Sequence, residues 1–355
     1  MMYSERIENL FSWESNPFTF QILPDLFVGY DKESGSLMNG LQAGNKFSLI
    51  LGPTGSGKTT LVKSMMTKLG NEFDHVMYLP KPPRDHEDWL DVFHDFTRKG
   101  FLRSLFSGGN GVNIYNLSQV LNEQLSGKRV LLFIDECQES STESMEWLRA
   151  LTDHIDNMYI VMAALPVFET TLRSSLESLL RRVGTKVELT TLTRSETREL
   201  IKKRISSTGG DDIKPFTSGT IDYIFQRTGG FPREVLRVCS ELVQEAVGRN
   251  ISTIDTDFIS ETRQPEQRLS IEAVDSLPER QRLILDTLSR NGDMTPSGII
   301  ASLDIEEYKN RDNAVRSVNN LLRRLMKESL VERKRVGKTY RYAVSSKFQT
   351  LMVEA

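Results

Sequence analysis

A chain of 355 residues has room for roughly two or three domains, each with its own hydrophobic core. Its apolar (38%) and charged (26%) fractions are those of a water-soluble globular protein, and a net charge of −3 excludes bulk attraction to nucleic acid. No apolar run of about 18 residues occurs and Met1–Asn9 is too polar for a secretory signal, so a cytoplasmic protein without membrane contact is expected.

Residues 1–45 start irregularly, because Pro17 and Pro24 oppose a long helix, and Leu37–Leu41 then predicts a short amphipathic one. Phe27-Val28-Gly29 has two readings: part of an N-terminal strap packed on the core, or the apolar lining of a base pocket. The next stretch organises the chain. Phe47–Leu51 is an apolar run suited to a buried parallel strand. It leads directly into Gly52-Pro53-Thr54-Gly55-Ser56-Gly57-Lys58-Thr59-Thr60 and a helical pattern from Leu61. Strand, G-x-x-x-x-G-K-T and helix in that order define a P-loop, and with it binding of a nucleoside triphosphate. The glycines allow a tight turn whose N–H groups converge on phosphate oxygens, and the following helix dipole adds to that field. Lys58 is placed to reach the β- and γ-phosphates of ATP, and the Thr59 hydroxyl to ligate Mg2+.

His75–Leu79 predicts a second strand, closed by Pro80, Pro82 and Pro83. Trp89, Leu90, Phe93 and Phe96 give residues 84–106 a helical pattern that breaks at Ser107–Gly111, either a connector or a ligand-contacting hairpin. Asn116–Ser126 is another helix, with Leu117, Val120, Leu121 and Leu125 inward. Val130–Ile134 is wholly apolar, as a central strand buried on both faces must be. Asp135 and Glu136 stand at its carboxyl end, where open α/β sheets place their ligands. Asp135 is expected in the Mg2+ shell, largely through water, and Glu136 beside the attacking water, which it polarises. Tyr159–Ala164 and Lys186–Leu189 complete five strands alternating with helices, an α/β parallel sheet. Arg181 and Arg182, ahead of the last strand, are either a solvated turn or donors to a γ-phosphate held by a neighbouring subunit, Arg182 being preferred. Cys137 and Cys239 lack metal-ligand spacing and are expected reduced and packed.

From Ser195 the pattern is wholly helical, over about 195–207, 217–228, 232–248 and 255–263. Arg233 opens the third of these helices, where basic charge opposes the dipole, so an anionic ligand or a surface salt bridge must favour it. After a linker at 264–278, helices at Glu279–Ser289, Ser297–Leu303 and Asp312–Glu328 precede two strands that turn at Gly337, which together describe a winged helix. Residues 310–341 hold ten Lys/Arg against three Asp/Glu, the local footprint of phosphate binding. Arg316, Asn320 and Arg323 share one polar face of the third helix and suit base edges; Arg333, Lys334, Arg335 and Lys338 on the hairpin suit phosphates. A module used for protein contacts is the alternative. The expected division is 1–193 core with strap, 194–263 helical lid, 264–278 linker and 279–355 winged helix.

Together these residues resemble the AAA+ ATPases, in the clade of the secretion-pathway A-type ATPases, transposition-targeting ATPases and origin-recognition initiators. The resemblance rests on Asn16-Pro17-Phe18, the P-loop, Ile134-Asp135-Glu136-Cys137-Gln138, Leu148-Arg149-Ala150-Leu151, Arg182 and Gly230-Phe231-Pro232-Arg233, over about residues 12–263. It implies that Arg182 is an arginine finger, that Arg233 is a sensor 2 residue binding nucleotide, and that ATP lies between subunits of a homo-oligomer. One departure stands out. Where the family carries a polar sensor 1 residue this chain reads Met162-Ala163-Ala164-Leu165-Pro166, which predicts slow hydrolysis unless Gln138 substitutes. The function expected is an ATP-dependent switch on duplex DNA. The alternatives are a signalling ATPase regulating transcription, or a secretion or assembly ATPase whose winged helix binds an unidentified protein partner.

Overall fold

Five runs pair into one parallel sheet: β1 (Phe47–Leu51), β2 (His75–Leu79), β3 (Val130–Ile134), β4 (Met158–Ala164) and β5 (Val183–Glu188), in the order β2-β3-β4-β1-β5. Every residue of β1 and β3 is buried, which is why β3 reads as an unbroken apolar run and β1 as one interrupted only by the small Ser48. β5 lies at an edge and alternates, so charged Lys186 and Glu188 sit in it without cost and its first half is polar enough to escape notice in the sequence. The chain leaves β1 for β2 at the far edge and returns through β3 and β4, which puts the strand-order reversal at β1. The carboxyl ends beside β1 are therefore the ligand position of such a sheet.

The structure, a computed structural model, describes residues 3–94, 112–262, 277–303, 311–327, 330–336 and 339–345. Ser107–Gly111, most of the 264–278 linker, Gly337 and Lys338 lie outside the described residues. Contacts divide the chain into two units, one of Tyr30–Gly52 with Lys58–Leu189, the other of Met1–Gly29, Pro53–Gly57 and Thr190–Ala355.

The sheet unit owes its stability to a core in which Leu49, Leu132, Ile134, Ile160 and Met162 meet Trp89, Phe93, Met145, Leu148 and Phe168. Each such side chain contributes about 1.5–3 kcal/mol on burial. The helix Thr142–Asp153 that supplies Met145 and Leu148 starts at Ser141, whose side chain accepts from the Ser144 N–H.

In the second unit the helices are Arg194–Ser206, Ser218–Thr228, Pro232–Arg249 and Thr256–Thr262, each close to its expected span. Thr193 and Glu196 form a capping box that fixes the first start. The segment around Pro17 and Pro24 is irregular apart from the short turn Pro24–Leu26. The helix expected at Leu37–Leu41 is longer and runs over Asp31–Gln42, and Tyr3–Phe11 is an additional helix. Pro17 and Pro24 fall between these two helices and constrain only the connection. Residues 1–29 group with the later helices rather than with Tyr30–Gly52 and Lys58–Leu189. Phe18 meets Phe216 edge-on, Trp13 is buried, and the Arg204 guanidinium donates to the Thr19 and Gln21 carbonyls.

The C-terminal module has its own core of Ile284, Leu288, Ile299, Val318, Leu322, Leu325, Val331 and Tyr342. It consists of helices Glu279–Asn291, Pro296–Ser302 and Arg311–Lys327 and an antiparallel hairpin, β6 (Val331–Val336) and β7 (Thr339–Val344). Met294 extends the hairpin by exchanging both backbone bonds with Tyr342.

Candidate nucleotide site

The loop after β1 opens with the Gly52 N–H donating to the Ala164 carbonyl at the end of β4. Gly55 and Gly57 then adopt φ of 87° and 100°, a region that L side chains rarely enter. For Gly57 the conformation alone requires glycine, since an added Cβ would meet nothing within 4 Å. The Ser56 N–H donates back to the Pro53 carbonyl at 3.3 Å, and the helix Lys58–Leu69 follows directly in the chain. Lys58 is buried and its ammonium donates to the Gly52 carbonyl at 2.7 Å, folded back along the loop it would leave for a phosphate oxygen. Ser56 is buried; Pro53, Gly55, Gly57, Thr59 and Thr60 are half-buried, and Thr54 is exposed.

At the end of β3, Asp135 is 2% exposed and receives three hydrogen bonds. Thr59 Oγ1 donates to its Oδ2 at 2.6 Å, Tyr78 Oη to the same oxygen at 3.4 Å, and the Glu136 N–H to Oδ1 at 2.9 Å. A hydroxyl and a carboxylate oxygen side by side are hard donors of the kind Mg2+ takes, so Thr59 and Asp135 would hold it here. They fit an ion gripped from one side: among the described residues no group of three His, Cys, Asp or Glu forms a cage. Tyr78 was not singled out from the sequence. Its place beside Asp135 depends on β2 lying next to β3, which no local pattern reveals. Burial and then the Asp135 charge push its hydroxyl up to about 12, so it remains a donor.

Glu136 has φ of 53°, left-handed for a residue with a side chain, and opens the one-turn helix Cys137–Glu139. Its carboxylate accepts from Gln138 Nε2 at 2.5 Å, and Gln138 Oε1 in turn accepts from the Leu165 N–H at 2.9 Å. Cys137 and Cys239 are both buried and free, and burial pushes both thiols up. Arg182 does not join this group. Its guanidinium donates to Asp153 at 2.7 Å and to the Ser178 carbonyl at 3.3 Å. Burial alone would raise Asp153, but hydrogen bonds and charge from Arg182 and Arg149 outweigh it and hold that carboxylate below its ordinary range. Arg181 pairs with Glu177.

In the second unit Arg233 is the second residue of its helix, and its N–H approaches the Gly55 carbonyl at 3.4 Å. A Cβ on Gly55 would lie 3.1 Å from the Arg233 Cβ, so the loop and the helix start are in close contact. The surface salt bridge considered for Arg233 is not seen among the described residues. In the C-terminal module Arg316, Asn320 and Arg323 are all exposed on the helix Arg311–Lys327, as are Arg333, Lys334 and Arg335 on β6. The Arg333 guanidinium stacks on the Tyr340 ring at 4.3 Å.

Residues 42–172 match the AAA domain family. The chain is 24% identical over 253 residues to General secretion pathway protein A of Aeromonas hydrophila, covering 67% of this chain and 44% of that protein. It is also 24% identical over 153 residues to an uncharacterized HTH-type transcriptional regulator of Methanocaldococcus jannaschii, covering 41% of this chain and 37% of that protein. The chain thus spans less than half the length of either relative. Among solved structures it is similar to the ADP form of the Aeropyrum pernix ORC2 protein, at TM-score 0.53 and 15% identity over 97% of both chains. CDC6P of Pyrobaculum aerophilum gives TM-score 0.52 and 15% identity over 95% of this chain and 96% of that one. The Aeropyrum pernix ORC1 protein in complex with DNA gives 0.50 and 14% over 94% and 95%. The fold is that of a P-loop NTPase with a five-stranded parallel sheet and a helical lid, as in the AAA+ ATPases.

Proposed function

We propose that this chain is an ATP-binding and ATP-hydrolysing AAA+ switch that couples nucleotide state to assembly on duplex DNA. The observation that carries the enzymatic half is the meeting of Thr59 and Asp135 at 2.6 Å with Glu136 on the adjoining residue. A grip for an ion and phosphate then stands beside a carboxylate that can take a proton from water. Lys58 neutralises the β/γ-phosphates, Thr59 and Asp135 hold Mg2+, and Glu136 orients and deprotonates the attacking water. Mg2+ supplies charge neutralisation on the phosphates when bound. Arg233 adds a cation beside Gly55 in the loop, and Arg182 serves the site of a neighbouring copy.

The DNA half rests on the exposed Arg316, Asn320, Arg323, Arg333, Lys334 and Arg335, carried on a module with the helix and hairpin arrangement of a winged helix. The similarity to DNA-associated initiator structures supports the same reading at the level of fold. Gel filtration of the full chain with ATP, ADP or no nucleotide, with and without random duplex DNA at two salt concentrations, tests both halves. A larger species with ATP and DNA, weakening steeply with salt, is expected. Similarity to General secretion pathway protein A favours a second reading, an assembly ATPase whose C-terminal module binds protein. Absence of DNA binding at low salt would select it. The similarity to a transcriptional regulator favours a signalling ATPase that regulates transcription, which shares the DNA-binding outcome.

A further inference from the structure

The end of β4 supplies no polar side chain to the catalytic edge of the sheet: it reads Met162-Ala163-Ala164 and then Leu165, whose contribution is a backbone N–H. That N–H donates to Gln138 Oε1 at 2.9 Å. A backbone N–H can only donate, so the amide oxygen must face Leu165 and the amide nitrogen must face the other way. It faces Glu136, and Nε2 donates to Glu136 Oε2 at 2.5 Å. The turn that brings Gln138 back onto Glu136 begins with the left-handed backbone of Glu136 itself, φ 53°. Strain of this kind, at a residue with a side chain, persists only where the surroundings hold it.

The geometry points to Gln138 as a positioning residue for hydrolysis, a strut that fixes the Glu136 carboxylate to the end of β4. This rests on the proposed role of Glu136 as the base that takes the proton of the attacking water. A glutamate side chain alone has three rotatable bonds, and a base aimed at one water must be confined among them. Gln138 confines it through Oε2. The other carboxylate oxygen, which takes no hydrogen bond among the described residues, is the one that faces the water. Among the described residues Gln138 makes no hydrogen bond to the P-loop or to Asp135, so the strut acts on turnover and not on nucleotide affinity.

The test is a double-mutant cycle on the full chain: wild type, Glu136→Gln, Gln138→Leu, Gln138→Glu and Glu136→Gln with Gln138→Leu. The readouts are kcat, KM and direct titration of ATP with Mg2+. Gln138→Glu is isosteric and keeps an acceptor for the Leu165 N–H, but it sets one carboxylate against another. Both Gln138 variants are expected to lose roughly 10–100-fold in kcat, the scale of a misaimed catalytic group. Their KM and nucleotide affinity should stay within about twofold of wild type. Because Gln138 works through Glu136, adding Gln138→Leu to Glu136→Gln should cost nothing further. Unchanged or raised kcat in both Gln138 variants, or losses that multiply in the double mutant, overturns the strut while leaving Glu136 as the base. Wild-type turnover by Glu136→Gln overturns the underlying reading and the strut with it.

Discussion

Asp135→Asn separates the ion-holding role of this buried carboxylate from its structural one. The amide keeps an oxygen for the Glu136 N–H, and its nitrogen takes the place of Oδ2, where Thr59 and Tyr78 donate. Both hydroxyls can rotate and accept instead, so the nucleotide-free protein should change by no more than about 1 kcal/mol, the net worth of one hydrogen bond. The ligand-dependent term should move much more. ATP with Mg2+ at about 100 times Kd stabilises a folded state by about 2.7 kcal/mol. Removing a group from the ion's surroundings costs roughly 10–100-fold in affinity. Ligand then stands at roughly 10 to 1 times the new Kd, and the stabilisation falls to about 1.4 to 0.4 kcal/mol.

At roughly 2–4 °C per kcal/mol for a unit of this size, the rise in Tm produced by ATP and Mg2+ should shrink by roughly 3–9 °C. Thermal unfolding of the full chain with ATP, in Mg2+ and in EDTA, measures it for both proteins. An Mg2+-dependent rise equal to that of wild type would remove Asp135 from the ion's shell. A large fall in the nucleotide-free Tm would instead make Asp135 a structural residue first.

Lys58→Ala, which removes the hydrogen bond to the Gly52 carbonyl among other contacts, should abolish ATP binding; equal affinity by calorimetry would sink the P-loop assignment. Mixing Arg182→Ala with Glu136→Gln subunits should recover part of the ATPase activity that neither has alone, and no recovery at any ratio in demonstrated mixed oligomers would count against a shared site. Lys334→Ala with Arg335→Ala should weaken binding to all duplexes alike and lower the salt slope by roughly two phosphate contacts. Arg316→Ala with Asn320→Ala should instead reduce discrimination between sites by about 1–3 kcal/mol each. Unchanged DNA affinity at low salt in both pairs would reassign the module to protein binding.

What was legible in the sequence is what chemistry fixes locally. A loop that must wrap a phosphate needs glycines and a lysine at set intervals, and a strand buried on both faces must be apolar throughout, so Gly52–Thr60 and Val130–Glu136 announce themselves. Edges are quieter. β5 starts at Val183, three residues before the expected Lys186, because an edge strand alternates and its outer residues are polar. The helix expected at Leu37–Leu41 begins earlier, at Asp31, because its first residues are polar and give no apolar period, and Tyr3–Phe11 is too short for a clear one. The contacts that refine the site were invisible for another reason. Tyr78 reaches Asp135, and Gln138 reaches Leu165, only once β2, β3 and β4 lie side by side, and strand order is a property of the whole sheet.

The sheet also limits what Arg182 can do. Val183 pairs with Phe47, the first residue of β1, whereas the loop begins after Leu51, paired with Glu188 at the other end. At about 3.3 Å per residue those ends are roughly 13 Å apart along the strand, and the arginine starts from the far side of that span. That separation agrees with the proposal that Arg182 serves the site of another copy rather than the loop of its own chain. In the single chain the guanidinium is held by Asp153, an ion pair open to solvent on both sides. Such pairs exchange partners at little cost, so Asp153 can keep the arginine aligned without preventing its transfer to a phosphate. Under the proposed arrangement the chain alone binds nucleotide with Lys58, Thr59 and Asp135 in place, while charge stabilisation at the transferred phosphoryl group waits for a neighbour. Coupling of turnover to assembly then needs no moving part beyond that exchange.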